Sequence, residues 1–484
     1  MGRSQRLLAL PRKDAIVVGG AAATLALLVA AGVRDFGPVA LLLPVAFVGV
    51  AMLVVRPVLT LVVVVGLTIF CEGPEFGLLN FTSHLYTQVY KDISLLDLLV
   101  GLLVVSALLD VLRNGRALRV PRALAVGIVT LALAMVAGAY VGHTAGISLR
   151  YSIFSEHILF YLLLVPVAVA NLELDEDQIK RLLGGAMALA VVKAILGLLE
   201  VSLHLGKPIE GSSTLTYYEP TANWLMMIAL LAIIAALLMK VTRPRWILLS
   251  SPLLIACLLF SYRRSFWIAV VLGALLVVLL GTSPAGRRLL IPASLAVAGA
   301  IWLLGSLNFQ SNLPVVRRVN SLSFGTLEAN REDRYRLDER ANVWAEIRAH
   351  PITGLGVGIP WQATAAPLSL EHEEGRQYVH FAALWYWLKL GALGLCAYVA
   401  LMIGSVVLAW QAWRRAAHPW LRAFGLASVC GIAGLIVMDT TASFTGVEGR
   451  FTVVLAVQLG LLALLARGPD SRGDERPLSA ESSA

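Results

Sequence analysis

Apolar runs separated by short polar breaks follow one another along almost the whole chain. The runs read as Ala15–Gly32, Val39–Val55, Val58–Cys71, Leu95–Leu112, Ala123–Val141, Ile158–Ala170, Leu183–Leu203, Asn223–Met239, Ile247–Phe260, Phe266–Leu280, Leu289–Leu307, His380–Trp410, Leu421–Met438 and Phe451–Leu465. A bilayer core is crossed by about 20 apolar helical residues, so the series predicts about 12–14 spans. One long polar segment, Asn308–Val379, interrupts it. The pattern predicts an all-α polytopic transmembrane helical bundle with one long, partly helical extracytoplasmic loop. Its parts are N-terminal membrane helices (1–307), the loop (308–379), C-terminal membrane helices (380–466) and a disordered cytoplasmic tail (467–484).

Composition agrees with a membrane protein. Hydrophobic residues are 58% and charged residues 14% of the chain, against about 25% charged in soluble domains. The net charge of +9 sits mostly in short loops between spans, which argues against nucleic acid and sets orientation instead. The N-terminus (Arg3, Arg6, Arg12, Lys13), Arg113–Arg122, Lys240–Arg245, Arg287/Arg288 and Arg414/Arg415 fall on one side if every span crosses. By the positive-inside rule that side is the cytoplasm, and both termini lie there. Met1–Lys13 is basic, but Ala15–Ala31 lacks the usual small-residue cleavage site, so the first span is expected to be retained. Cys71, Cys257, Cys396 and Cys430 lie in or at the edges of apolar runs without metal-ligand spacing.

Asn308–Val379 then lies outside, as does the tight turn Tyr262-Arg-Arg-Ser265. The long segment carries eight arginines and nine acidic residues. Arginine at a helix end can simply reach for head groups. Arg263 and Arg264, confined between two apolar helices, also suit an anion clamp, because guanidinium offers planar bidentate donors to phosphate oxygens. Arg331–Ala349 has helical spacing, with Ala341, Trp344, Ala345 and Ile347 as an apolar stripe, charges opposite, and Arg336 and Arg340 on one face. Pro351 ends that helix. Gly354, Gly356 and Gly358 then allow close backbone approach, and such a loop beside arginines can line an anionic substrate. His380, where the polar segment meets the next helix, can accept a hydroxyl proton near neutral pH. It also suits a helix cap.

These motifs in order resemble the bacterial O-antigen ligase/O-antigen polymerase family of integral-membrane glycosyltransferases, over roughly Ser212–Gly394. Ser261-Tyr-Arg-Arg-Ser-Phe-Trp267 looks like the family's arginine before its large loop. Arg340, Trp344 and His350-Pro-Ile-Thr-Gly-Leu-Gly356 look like its Arg, Trp and His-Pro-X-X-Gly-X-Gly elements. His380, Gly391 and Gly394 keep the ligase spacing, but Phe381 stands where Asn, Ser or Gln is usual. Gly211–Asn223, with Tyr218 and Asn223 as candidate substrate residues, looks like the segment entering a span.

The resemblance implies transfer of a glycan from a polyprenyl-diphosphate carrier to an acceptor sugar hydroxyl, on a glycan or lipid-linked glycan, without metal or cofactor. His380 would be the base. Arg263, Arg264, Arg340 and Arg336 would hold the diphosphate, and Gly354 and Gly356 would border the substrate. The competing class is a transporter or flippase of lipid-linked sugars, for which Lys193 and Glu200 within one apolar run are the best support. A structural scaffold for envelope assembly is the third reading.

Overall fold

The structure is a computed structural model describing residues 43–71, 78–79, 82–83, 86, 88–90, 93–208, 215–217, 219–242, 245–282, 288, 331–368 and 377–468. The expected spans Ala15–Gly32 and Leu289–Leu307, and Tyr218, Arg317, Arg318 and Arg376, lie outside the described residues, as does the tail beyond Gly468. In chain order the elements are α1 (Leu43–Val55), α2 (Pro57–Phe70), β1 (Gln88–Tyr90), β2 (Ile93–Ser94), α3 (Leu95–Arg113), α4 (Arg122–Thr144), α5 (Leu149–Ser155), α6 (Ile158–Ala170) and α7 (Glu176–Ser202). They continue with β3 (Lys207–Pro208), β4 (Leu215–Thr216), α8 (Pro220–Leu238), α9 (Arg245–Leu249), α10 (Ser251–Phe260), α11 (Arg264–Gly281), α12 (Arg331–Ala349), α13 (Ala382–Arg415), α14 (Pro419–Met438) and α15 (Gly449–Ala466). The two strand pairs are short antiparallel ribbons in the loops before α3 and α8.

Among the described residues, eight helices are long and apolar enough to cross a membrane, or up to ten if each of two bent pairs counts as one span. This is an all-α polytopic bundle. Val39–Val55 and Val58–Cys71, expected as two spans, meet at Arg56-Pro57 in a pair bent by 117°. Proline suits the first turn of α2 and lacks the N–H that would continue α1. The run expected at Ile158–Ala170 is joined to α5 by a 61° bend. Leu172–Asp175 leads directly into α7. Asp175 caps α7 by accepting from Gln178 N, while the Gln178 side chain accepts from Asp175 N.

The centre is α8, α14 and α15, whose apolar windows are 78%, 78% and 94% buried, while α4, α7 and α11 are at most 28% buried and form the rim. Apolar packing gives little drive between helices in lipid, so polar bonds and close approach matter more. Trp224 Nε1 of α8 donates to Gln458 Oε1 of α15 (3.0 Å), and Gln458 Nε2 donates to Ser428 Oγ of α14 (2.9 Å). At Gly127 and Gly404, α4 and α13 cross so closely that a Cβ would strike the partner backbone.

Gly391 breaks α13 with φ 69°. The approach it admits is made by the glycine loop after α12, not by another helix. Ala392 N donates to Ile352 O (3.0 Å) and Leu355 N to Leu388 O (2.7 Å). A Cβ on Gly391 would fall within contact distance of the Ile352 carbonyl. Gly391→Ala is therefore expected to lower stability by about 1–3 kcal/mol from backbone conformation alone, before the clash is counted. Gly185→Ala, in open space on α7, should be neutral or slightly stabilising. Thermal unfolding of both variants in detergent checks this; equal midpoints would contradict it.

Candidate active site

The starts of α3, α6, α8, α11, α13 and α15 and the end of α14 gather at one end of the bundle, where α12 docks on α13 and reaches the start of α11. Of the expected stripe only Ile347 is buried. Ala341 is exposed and Trp344 is 37% exposed, whereas Asp333, Tyr335, Glu339, Asn342, Val343 and Ile347 are buried. Val343 and Ile347 pack with Trp361, Val379 and Trp385. Polar residues can take the buried face because each finds partners. Asn342 Oδ1 accepts from Ala365 N and Ala366 N (2.7 and 2.9 Å), and its amide donates to Asp338 O and Ala366 O.

Glu339, 2% exposed at its side chain, meets His380, 28% exposed. Glu339 Oε2 accepts from the His380 backbone N–H (2.9 Å), and His380 Nδ1 lies 3.1 and 3.2 Å from the two carboxylate oxygens. A carboxylate at Nδ1 calls for an N–H there, which leaves Nε2 as the lone-pair nitrogen. Among the described residues Nε2 has no hydrogen-bond partner. Tyr378 and Tyr335 stand edge-on to the imidazole, at 4.8 and 6.0 Å between ring centres.

Six residues toward the start of α12, about 9 Å along its axis, Asp333 pairs with Arg264, and Arg336 Nη1 is 4.0 Å from the same carboxylate oxygen. Two guanidinium groups from different helices thus converge on one acid. Arg263, ahead of α11, lies 5.9 Å from the Phe444 ring centre. Arg340 is exposed and lies 5.5 Å from the centre of Phe381. The unusual phenylalanine is therefore a cation–π partner.

The other sequence candidates fall as follows. Gly354, Gly356 and Gly358 have positive φ (65°, 94° and 84°), but Gly354 faces α13 backbone and Gly356 faces α4 backbone at Gly142. They lie beyond the C-terminal end of α12, about 21 Å along the axis from Arg336 to His350. Asn223 is fully buried one turn into α8, and neither its Oδ1 nor its Nδ2 has a hydrogen-bond partner among the described residues. Lys193 donates to Phe70 O (3.4 Å) beside Tyr217, and Glu200 accepts from Leu78 N (3.4 Å), so each ties α7 to the segment around the end of α2.

Sequence reasoning passed over three further groups. Glu339 and Asp333 are the first. Next come Glu219 and Glu448, which cap α8 and α15 and enclose Arg450: Nη1 is 2.7 Å from Glu219 and Nε 3.4 Å from Glu448. Burial pushes the Glu448 carboxyl up, with Arg450 opposing. The third is Asp439, just past α14. Its carboxylate accepts from Phe444 N (3.0 Å), Thr445 N (3.4 Å), Thr445 Oγ1 (2.7 Å) and Tyr398 OH (3.1 Å). Its carbonyl accepts from Ala382 N (2.9 Å), and Ser443 Oγ donates to Val379 O (2.5 Å). One turn thereby holds both the chain on either side of His380 and the Phe444 ring under Arg263. A signal existed in the acids and arginines at span ends, but partners distant in sequence gave them their meaning.

Among the described residues no group of His, Cys, Asp and Glu is placed to hold a metal ion. Burial pushes Asp439 up to about 6, with its four hydrogen bonds opposing. The folded state then holds a proton that the unfolded chain releases near pH 4, so stability from this group is present below pH 4 and falls as pH rises toward 6. The unfolding midpoint of the wild type relative to Asp439→Asn should therefore increase as pH is lowered from 7 to 4. A difference that is constant or shrinks would contradict the assignment.

Residues 249–399 match the family model described as O-antigen ligase. That stretch contains Arg263, Arg264, α12, the glycine loop, His380 and Gly391. No curated protein matches the chain.

Proposed function

Because residues 249–399 match the O-antigen ligase family model and the chain is a multi-pass membrane protein, we propose that it transfers a glycan from a polyprenyl-diphosphate carrier to a sugar hydroxyl. The observation that carries this reading is the Glu339–His380 pair with Nε2 open, less than two turns along α12 from the Arg264–Asp333–Arg336 cluster. His380 Nε2 takes the proton of the acceptor hydroxyl as its oxygen bonds the anomeric carbon. The bond from that carbon to the diphosphate oxygen breaks on the opposite face, so configuration inverts. Glu339 holds the ring in the needed tautomer and balances the imidazolium as it forms, the part a carboxylate plays beside any histidine base.

Charge grows on the departing diphosphate, so Arg264, Arg336 and Arg263 stabilise the transition state more than the bound donor. Asp333 holds two of these guanidinium groups together, and each guanidinium carries five N–H donors in a fork that matches phosphate oxygens. Arg340 lies over Phe381, the residue after His380. The unpaired Asn223 amide suits a sugar hydroxyl, because a buried amide without partners is costly. Gly354 and Gly356 act one step removed, by seating the loop after α12 on α13 and on α4 respectively.

The site end lies outside the cytoplasm in this reading. The basic loops at Arg113–Arg122 and Arg414/Arg415 stand on the cytoplasmic side by the positive-inside rule. A flippase finds less support, because Lys193 and Glu200 are engaged with neighbouring backbone.

In nanodiscs carrying polyprenyl-diphosphate glycan, His380→Ala is expected to slow glycan transfer by about a hundredfold or more. Glu339→Gln should lower kcat by at least about tenfold with the donor KM little changed. Undiminished transfer by His380→Ala sinks the base assignment. Lipid movement between leaflets with no transfer by the wild type hands the case to the flippase.

A further inference from the structure

The exposed face of α12 carries a ladder that glycosyl transfer at His380 does not itself require. Arg340, Trp344 and Arg348 follow at intervals of four, on one face of the helix. Arg340 lies over Phe381, next to His380. Arg348 lies 5.9 Å from the centre of the Trp344 ring, and Trp344 meets Trp387 edge to face at 5.5 Å. Trp387 is fixed in turn, because its Nε1 donates to Pro351 O (2.7 Å). Both arginines are exposed, and Trp344 is 37% exposed despite being held from two directions.

Charge on this face has one sign. Between Arg340 and Arg348 it presents Ala341, Trp344 and Ala345. Glu346 points elsewhere, with Oε1 accepting from Gln362 N (3.2 Å), and Glu339 is buried against His380. The result is a rigid aromatic surface between two cations, about 12 Å from Arg340 to Arg348 at the helical rise, starting beside the proposed base.

We propose that this ladder is the acceptor subsite and that it takes an acidic oligosaccharide. A pyranose ring offers weakly positive C–H groups that suit an indole face. Carboxylate or phosphate substituents suit the forked donors of Arg340 and Arg348. Continuity with Phe381 and His380 brings the end of such a chain to the base. Phe381, in place of the usual polar residue, makes the first rung under Arg340. The inference rests on the transferase reading for its role, but not for the binding itself.

The test is direct binding to the full-length protein in nanodiscs, with a hexamer of galacturonic acid and a neutral maltohexaose as probes. Wild type should bind the acidic hexamer more tightly than the neutral one, and salt should weaken binding. Trp344→Ala and Arg348→Ala should each weaken it about tenfold or more, with Trp344→Phe in between and unfolding midpoints unchanged. Equal binding by wild type and variants, no binding of either probe, or quenching of Trp344 by brominated lipid tails would each overturn the proposal, the last by making Trp344 a membrane anchor. In transfer assays the same variants should raise the acceptor KM and leave the donor KM alone. Transfer with an unchanged acceptor KM removes the subsite and leaves the transferase standing, whereas ladder-dependent binding without any transfer does the reverse.

Discussion

A carboxylate withdrawn from water needs a cation or a set of N–H donors; Asp333 finds Arg264 at the start of α11, and Glu339 finds His380 just ahead of α13. That requirement explains how a helix as polar as α12 docks on a membrane bundle. Its apolar contacts, Val343 and Ile347, seat only one end. The rest of the docking is electrostatic and directional, which a functional surface needs more than strength. Each acid also fixes the group beside it, one guanidinium pair and one imidazole, so docking and arranging the site are the same event.

Two further devices keep the bundle beneath in register. The glycine loop inserts backbone into the break at Gly391, joining the end of α12 to α13 through main-chain hydrogen bonds. Asp439 gathers its turn so that the Val379–Ala382 segment, Phe444 and Arg263 share one support. Both stand behind the chemistry rather than in it. They make His380 a rigid feature even though it precedes α13 and is not part of a helix.

The membrane class and most helices were legible because an apolar run of sufficient length has few other uses. The bend at Arg56-Pro57 was less so, since two apolar runs look alike whether they cross or fold back. His380, Arg263 and Arg264 were visible as polar residues at the edges of apolar helices. Glu339 was not, because an acid on a charged helix reads as solvated until its partner 41 positions away is known. The stripe through Ala341 and Trp344 failed for the same reason: periodicity assumes that apolar residues face inward, and here paired acids do. Asp439 and the Glu219–Arg450–Glu448 group were hidden by distance along the chain.

The most direct test is a structure of the protein with its polyprenyl-diphosphate glycan bound, obtained by electron cryomicroscopy in nanodiscs. The diphosphate should lie within hydrogen-bond distance of Arg264 and Arg336, with the anomeric carbon turned toward His380 Nε2 and the Glu339 pair intact. A diphosphate held elsewhere, beside Lys193 and Glu200 for example, or a donor sugar with His380 on the same side as its leaving group, would contradict the arrangement.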